Sequence, residues 1–252
     1  MRLILPPNVF AKLIAETLPK SLFTEIIFRP SSLISKDLLS DTQAIGLIPS
    51  LDLLTNKTFN VASKAAISFD GPLSNSYLYF NENGGNIGNL NLRGDISLNE
   101  IILSKIIFEE HFSLTTEMIL DTAEKSDFSK NLLIAGNENY ENEIFIKGLS
   151  FSEEVSELID LPYVNYIFAS QDKESIQTLN NNMEDVDLKI EKLLQEKSNR
   201  IVDPKFTEHL LSNFNSVYFE FTENEKIALE ELIKLTYFHR IIDDMFDVKF
   251  ID

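Results

Sequence analysis

Small uncharged polar side chains gather where predicted strands end and predicted helices begin. In a parallel α/β sheet, the carboxyl ends of strands and the amino ends of helices meet at one crevice. The free amides and the dipole of a helix start attract carboxylates. The chain therefore offers a site for a small anion, although several of these residues can equally be helix caps. They are Asn8, Ser50, Ser74, Asn75, Ser76, Ser97 and Asn137.

Charged and metal-binding side chains give a weaker signal. The sequence has no P-loop, no G-x-G-x-x-G, no H-E-x-x-H and no G-x-S-x-G motif. Three histidines are scattered over helical patterns, which favours structural or surface roles over a metal site; they are His111, His209 and His239. Arg29, Arg93 and Lys64 are the basic residues nearest to the predicted crevice. We interpret them as surface charges, although an arginine can pair with a carboxylate.

The order of predicted elements explains how the polar residues are positioned. Three strands alternate with two helices at the start of the chain, which predicts a parallel sheet wound by helices. Two capping boxes mark later helix starts, Ser97 with Glu100 and Thr222 with Glu225. The predicted strands are 3–5, 25–28, 44–48, 59–66, 74–80, 115–120, 131–135, 163–170 and 218–221. The predicted helices follow Asn8 and Thr222 or cover 33–39, 98–112, 151–159 and 172–197, the last with an interruption near 180–183.

Two strand-like runs entered through proline predict a hinge between two lobes. They are residues 67–80, with Gly71-Pro72, and residues 161–169, with Pro162. We predict a first lobe from residues 1–92, a second lobe from 93–168, and a return to the first lobe with the C-terminal helices over 169–252. The stretch 81–94, rich in glycine and asparagine, is interpreted as a loop that leads into the second lobe.

Composition narrows the classes of function. The 252 residues carry 40 acidic and 22 basic side chains, a net charge of −18, which disfavours nucleic acid and anionic membranes as partners. The absence of cysteine excludes disulfides and thiolate chemistry. No apolar run reaches the roughly 18 residues of a membrane span, and the five residues before the first proline are too few for a signal peptide. We therefore expect a cytoplasmic protein, a monomer or homodimer.

Short motifs across most of the chain resemble a known family. They are Ile-Gly-Leu-Ile-Pro-Ser at 45–50, the run 67–80 with Gly71-Pro72 and Ser76, Leu-Leu-Ile-Ala-Gly-Asn at 132–137, the run 151–169, and the tail 218–238. The order of elements resembles the two-lobed type 2 periplasmic-binding-protein fold, an α/β fold. More narrowly, the motifs resemble the menaquinone-biosynthesis enzymes of the futalosine route, which include chorismate dehydratase and 1,4-dihydroxy-6-naphthoate synthase.

This chain departs from that family at four places. Only Asn8 matches the family's Ser-Tyr-Leu-Asn type motif after the first strand. The Ser-Arg-Thr-Ser type turn is replaced by Gly-Asp-Ile-Ser-Leu-Asn at 94–99, which keeps one serine. Asn137 stands where the family has an aspartate, and Val155 replaces a common tryptophan. We expect these departures to leave the fold unchanged and to affect the activity.

The resemblance implies dehydration of chorismate to 3-enolpyruvyl benzoate without a metal or redox cofactor. It implies catalytic roles for Asn8 and Ser97, which would orient the substrate, and a substrate-binding role for a further set of residues. No convincing general base is visible in the sequence, so a carboxylate of the substrate is the candidate base. Two alternatives are a catalytically inactive small-carboxylate binding protein of the same fold and an interaction protein with a vestigial cleft. The substrate-binding set is Ser50, Ser74, Asn75, Ser76, Asn99 and Asn137.

Overall fold

The computed structural model describes residues 1–81, 88–201 and 204–252. These residues form twelve strands and eight α-helices. The strands are β1 (Arg2–Leu5), β2 (Glu25–Phe28), β3 (Ile45–Pro49), β4 (Asn60–Phe69), β5 (Ser76–Tyr79), β6 (Asn89–Gly94), β7 (Glu117–Leu120), β8 (Leu132–Ala135), β9 (Leu149–Ser150), β10 (Tyr163–Ser170), β11 (Val217–Glu220) and β12 (Phe250–Ile251). The helices are α1 (Val9–Thr17), α2 (Ser31–Ser40), α3 (Leu98–Phe112), α4 (Phe151–Ile159), α5 (Lys173–Asn180), α6 (Val186–Ile201), α7 (Pro204–Ser212) and α8 (Glu223–Phe238).

The strands form two separate sheets. Sheet A has the order β11-β4-β10-β3-β1-β2, with β12 beside β4, and sheet B has the order β7-β6-β8-β5-β9. In sheet A, β1 runs parallel to both neighbours, so that Leu3 pairs with Ile26 and with Ile45. This confirms the parallel β-α-β-α-β start, which brings the carboxyl ends of β1, β2 and β3 to one edge.

The chain crosses between the sheets twice. It leaves sheet A after Phe69 and enters sheet B at Ser76, and it returns from α4 to sheet A at Tyr163. Both crossings lie inside the two proline-containing runs that the sequence analysis assigned to a hinge. We call residues 1–69 and 163–252 lobe 1, and residues 76–159 lobe 2.

These crossings differ from the predicted lobe boundaries. The boundary at 92/93 falls within β6, a strand of sheet B, and the boundary at 168/169 falls within β10, a strand of sheet A. The glycine- and asparagine-rich stretch suggested a passage between lobes, but it connects two strands of sheet B. Residues 82–87 of that stretch lie outside the described residues. The prolines at 72 and 162 are the features that lie at the crossings.

Local signals account for most helix boundaries. The α1 helix begins where the Asn8 side chain accepts a hydrogen bond from the Ala11 amide. Both predicted capping boxes are present, at the starts of α3 and α8. The predicted helix over 172–197 is two helices, α5 and α6, separated at 181–185 where Asp185 has a φ of 50°. The α7 helix was not predicted.

Candidate functional site

Three chain segments of lobe 1 begin at the edge where β1, β2 and β3 end. They are the amino ends of α1, of α2 and of a short 3-10 turn, Ser50–Leu54. Lobe 2 contacts this edge with the residues that follow β6 and β8. Each lobe 1 segment receives a hydrogen-bond acceptor from lobe 2, as the following contacts show.

Asn137 of lobe 2 lies at the amino end of α1. Its Oδ1 accepts a hydrogen bond of 3.0 Å from the Val9 amide, and its Nδ2 donates to the Pro7 carbonyl at 2.9 Å. The Asn8 Oδ1 caps the same helix through the Ala11 amide at 2.8 Å. The predicted pair Asn8 and Asn137 is therefore brought to one helix start.

Asn99 of lobe 2 lies at the start of the Ser50–Leu54 turn. Its Oδ1 accepts hydrogen bonds from the Leu51 amide at 2.9 Å and from the Ser50 hydroxyl at 3.5 Å. Its Nδ2 donates to the Asn165 carbonyl at 2.7 Å. Asn99 thus links α3 of lobe 2 to two elements of lobe 1.

Asp95 of lobe 2 lies at the amino end of α2. One carboxylate oxygen accepts from the Ser31 amide at 2.8 Å, and the other accepts from the Ser31 hydroxyl at 2.6 Å. Pro30, at the cap position of α2, provides no side-chain hydrogen bond, and the first turn of α2 has no acidic residue of its own. The opposite lobe therefore supplies the anion that this helix start attracts.

The Tyr166 hydroxyl lies beside that helix start. It is 2.9 Å from the Ser31 Oγ, and the Asn75 Nδ2 donates to it at 3.3 Å. Burial raises the pKa of Tyr166 well above its ordinary value, an effect that the nearby Asn8 amide opposes. Within the described part of the chain, the buried atoms Asn8 Nδ2, Asn75 Oδ1 and Asn165 Oδ1 have no hydrogen-bond partner.

A buried carboxyl, Glu100, links α3 to β5 next to this cluster. Its Oε1 accepts from the Ser76 hydroxyl at 2.9 Å, and its Oε2 accepts from the Ser97 hydroxyl at 2.6 Å and the Ser97 amide at 2.9 Å. Burial raises the pKa of the Glu100 carboxyl, and these hydrogen bonds oppose the rise. The predicted pair Ser76 and Ser97 therefore shares one acceptor.

A second buried carboxyl, Asp52, lies in the Ser50–Leu54 turn and accepts a short hydrogen bond from the Ser35 hydroxyl. Burial raises its pKa from 3.8 to about 6, the Ser35 bond opposes this, and the Glu100 charge adds to it. The folded state therefore binds more protons than the unfolded state between about pH 4 and pH 6. Its stability must fall as pH rises through that window.

We predict that Asp52→Asn removes this pH dependence. Because one pKa unit corresponds to about 1.4 kcal/mol, the free energy of unfolding of the wild type should fall by about 3 kcal/mol relative to the variant between pH 4 and pH 7. Urea denaturation of both proteins across this range measures the difference. If the free energies of unfolding of the two proteins changed with pH in parallel, the pH dependence would not come from Asp52.

The remaining predicted residues have structural roles. The Ser74 Oγ is 2.7 Å from the Ser152 Oγ and accepts from the Ser76 and Ser152 amides, at the amino end of α4 within lobe 2. Arg93 is buried in lobe 2, where its Nε donates to both oxygens of Glu138 at 2.7 and 2.8 Å. Arg29 pairs with Asp37 at the surface, and Lys64 is exposed. Arg93 and Arg29 are paired with carboxylates and Lys64 is exposed, so the donors in the cleft are uncharged.

Sequence reasoning missed four residues at the contact between the lobes as site residues: Ser31, Asp95, Glu100 and Tyr166. Glu100 had a visible signal, its capping box with Ser97, but that pattern does not reveal burial between a helix and a strand. Asp95 follows a glycine at the end of a strand, which is a second usable signal. Nothing in the run around Tyr166 distinguishes it from an ordinary buried strand residue.

Comparisons with known proteins show the fold. No family model matches the sequence, and no curated protein matches it. The solved structure of protein AF1704 from Archaeoglobus fulgidus matches 96% of this chain and 98% of its own, with a TM-score of 0.62 at 13% identity. The periplasmic aliphatic sulphonate binding protein SsuA from Escherichia coli matches 99% of this chain and 90% of its own, with a TM-score of 0.52 at 7% identity.

The chain thus has the predicted two-lobed, periplasmic-binding-protein-like α/β fold, and at these identities the likeness shows the fold alone. The helices of the described residues all lack the length and hydrophobicity that a membrane crossing requires. Over the same residues, no cluster of three or more histidine and acidic side chains is arranged to bind a metal ion.

Proposed function

We propose that this chain binds a small organic carboxylate in the cleft between its lobes. The observation behind the proposal is that three lobe 1 segments each receive an oxygen acceptor from lobe 2, namely Asn137, Asp95 and Asn99. The amide and hydroxyl donors of such helix starts suit an anion. The fold is shared with a protein that, by its name, binds aliphatic sulphonates, which are small organic anions.

Uncharged donors also fit the charge of the protein. With a net charge of −18, the surface as a whole repels anions. A carboxylate in the cleft would be stabilised by short-range hydrogen bonds from amides and hydroxyls, which screening by salt weakens little when they are buried. Binding should therefore depend on the arrangement of donors and change little with ionic strength.

The specific ligand and reaction that we propose come from the resemblance in the sequence. Chorismate is the first acid to test, and its dehydration to 3-enolpyruvyl benzoate, a step of menaquinone biosynthesis, is the second candidate function. One contact favours a reaction: the Ser97 hydroxyl donates to the buried Glu100 carboxylate at 2.6 Å. A serine backed by a carboxylate can relay a proton, which is the role that the sequence left without a protein residue.

Binding and reaction are tested separately. Thermal unfolding of the wild type is followed with chorismate, 3-enolpyruvyl benzoate and benzoate, and with cyclohexanol as an uncharged control. A ligand at 100 times its dissociation constant stabilises the folded state by about 2.7 kcal/mol. Stabilisation by an acid and not by the alcohol supports the proposal, whereas no stabilisation by any of the acids would contradict it.

If the chain dehydrates chorismate, we predict that Asn8→Ala and Ser97→Ala each lower turnover at least tenfold. Both side chains would position the substrate, and a small misplacement of reacting groups lowers rates strongly. Product formation is followed by chromatography. Ser212→Ala, at an exposed hydroxyl of α7 that bonds to the Glu208 carbonyl, is the matched control. Full turnover in both variants would show that neither side chain takes part in the reaction. Binding of chorismate without product formation would show that the chain binds the acid without dehydrating it.

A further inference from the structure

The contact between Asp95 and Ser31 has the geometry of a bound carboxylate. Both oxygens of Asp95 are used, one by the amide and one by the hydroxyl of the same residue at the start of α2. The two residues are 64 positions apart and belong to opposite lobes. Among the described residues, no lysine, arginine or histidine forms a salt bridge with Asp95. Uncharged donors alone bind this carboxylate.

A second observation points to a ligand at the same place. Asn8 is 1% exposed, and its Nδ2 donor has no partner among the described residues. It lies near the Tyr166 hydroxyl, which also contacts the Ser31 hydroxyl at 2.9 Å and the Asn75 Nδ2 at 3.3 Å. Buried donors are almost always paired in folded proteins. The Asn8 donor is therefore available to an acceptor beside the Tyr166 hydroxyl, and Asp95, whose oxygens are both bonded to Ser31, does not use it.

The backbone directs Asp95 toward lobe 1. Gly94, at the end of β6, has a φ of 85°, and the next amide, that of Asp95, donates to the Ala135 carbonyl at 3.0 Å. These contacts lie within lobe 2, so Asp95 moves with that lobe. Separation of the lobes would take Asp95 away from the Ser31 donors and expose them, and closure would bring it back.

We infer that the Ser31 donors, with the Asn8 amide and the Tyr166 hydroxyl, form the carboxylate subsite of the cleft, and that Asp95 is a built-in competitor for it. This inference rests on the proposed function and adds a regulatory element to it. A ligand carboxylate binds by displacing Asp95 from Ser31. The apparent affinity is lowered by the fraction of molecules in which Asp95 occupies the subsite.

Removing the competitor should strengthen binding. We expect Asp95→Ala to bind chorismate or benzoate at least tenfold more tightly than the wild type, measured by isothermal titration calorimetry at pH 7. Asp95→Asn retains an acceptor and loses the charge, so its affinity for the acid should lie between those of the wild type and Asp95→Ala. If Asp95→Ala does not fold, as judged by circular dichroism, the affinity of Asp95→Asn is compared with that of the wild type. Tighter binding by Asp95→Asn then supports the competitor.

Asp172→Ala is the matched control. Asp172 caps α5 by bonds to the amide and the hydroxyl of Ser175, at 3.0 and 2.7 Å, so the variant loses the same kind of contact within one lobe. It should destabilise the protein without changing the affinity. The further change Ser31→Ala in the Asp95→Ala protein should reverse the gain in affinity.

The outcomes separate the two proposals. Tighter binding in Asp95→Ala and unchanged binding in Asp172→Ala support the competitor. Equal affinities of the wild type and Asp95→Ala overturn the competitor and leave the proposed function standing. No binding of either acid to any of the proteins overturns both.

Discussion

Replacing Gly94 with valine is expected to lower the free energy of unfolding by at least about 4 kcal/mol, a loss outside the range of most substitutions. A Cβ at this position would lie 2.1 Å from the Ala135 carbonyl oxygen. That oxygen belongs to the paired strand β8 and already accepts the Asp95 amide. Because both groups are backbone, no change of rotamer relieves the overlap. The φ of 85° adds strain for a β-branched residue.

Gly136→Val is the matched control for this prediction. Gly136 has a similar φ of 93°, but a Cβ there would be 3.7 Å from the nearest atom, the Asp95 Cβ. It therefore has the backbone strain without the overlap, and a loss of about 1–3 kcal/mol is expected. Urea denaturation followed by circular dichroism compares the two variants. Similar losses in both would mean that the sheet adapts to a side chain at Gly94.

Gly94 also connects stability with the site. It ends β6 and orients the Asp95 carboxylate that reaches Ser31. A variant that folds with a displaced β6 should therefore lose the contact between the lobes as well. In such a variant, the affinity for a carboxylate should resemble that of Asp95→Ala and not that of the wild type.

The sequence predicted best where signals are local. The capping boxes at Ser97 and Thr222 are formed within one helix turn, and the predicted starts of α3 and α8 match the structure. The strand over residues 163–170 and the helix over 151–159 were also predicted with their observed bounds. These segments have proline or a cap at their starts and a clear hydrophobic period, so tertiary packing does not override them.

The predicted lobe boundaries differ from the crossings between the sheets, because composition is a poor guide to which sheet a strand joins. Glycine and asparagine favour loops, but residues 89–94 of the stretch 81–94 form β6, and residues 82–87 lie outside the described residues. Whether β6 pairs with β4 or with β8 depends on contacts across tens of residues. The pairing of Leu92 with Leu133 and of Gly94 with Ala135 assigns it to sheet B.

The sequence selected several polar residues that the structure buries, but it did not show which atoms they contact. Asn8 and Ser97 were selected because they follow a strand or begin a helix, and Asn99 was selected from the resemblance; all three are buried. The contacts between the lobes could not be predicted, since Asn99 bonds to the Leu51 amide 48 residues away, and Asn137 bonds to the Val9 amide 128 residues away. Closure of two lobes brings these atoms together, and no local pattern records it.

Glu100→Ala is expected to destabilise the protein by about 3–5 kcal/mol. The change leaves three buried donors without an acceptor, the Ser76 hydroxyl and the hydroxyl and amide of Ser97, and each unpaired donor costs about 1–3 kcal/mol. Glu225 supplies the comparison, because it occupies the same capping-box position in α8 and accepts from the amide and the hydroxyl of Thr222, an exposed residue whose donors water can reach. Glu225→Ala should lose only about 1 kcal/mol, typical of a cap.

Glu100→Gln separates charge from hydrogen bonding. Burial raises the pKa of Glu100, so the site disfavours a charge, and a neutral amide avoids that desolvation. The glutamine oxygen can accept from Ser97 while its amide donates to the Ser76 hydroxyl, which can reverse its role. We therefore expect Glu100→Gln to lose less than half of what Glu100→Ala loses in urea denaturation. Equal losses would show that stability requires the charged carboxylate of Glu100. A charged carboxylate is also what a proton acceptor for Ser97 must be.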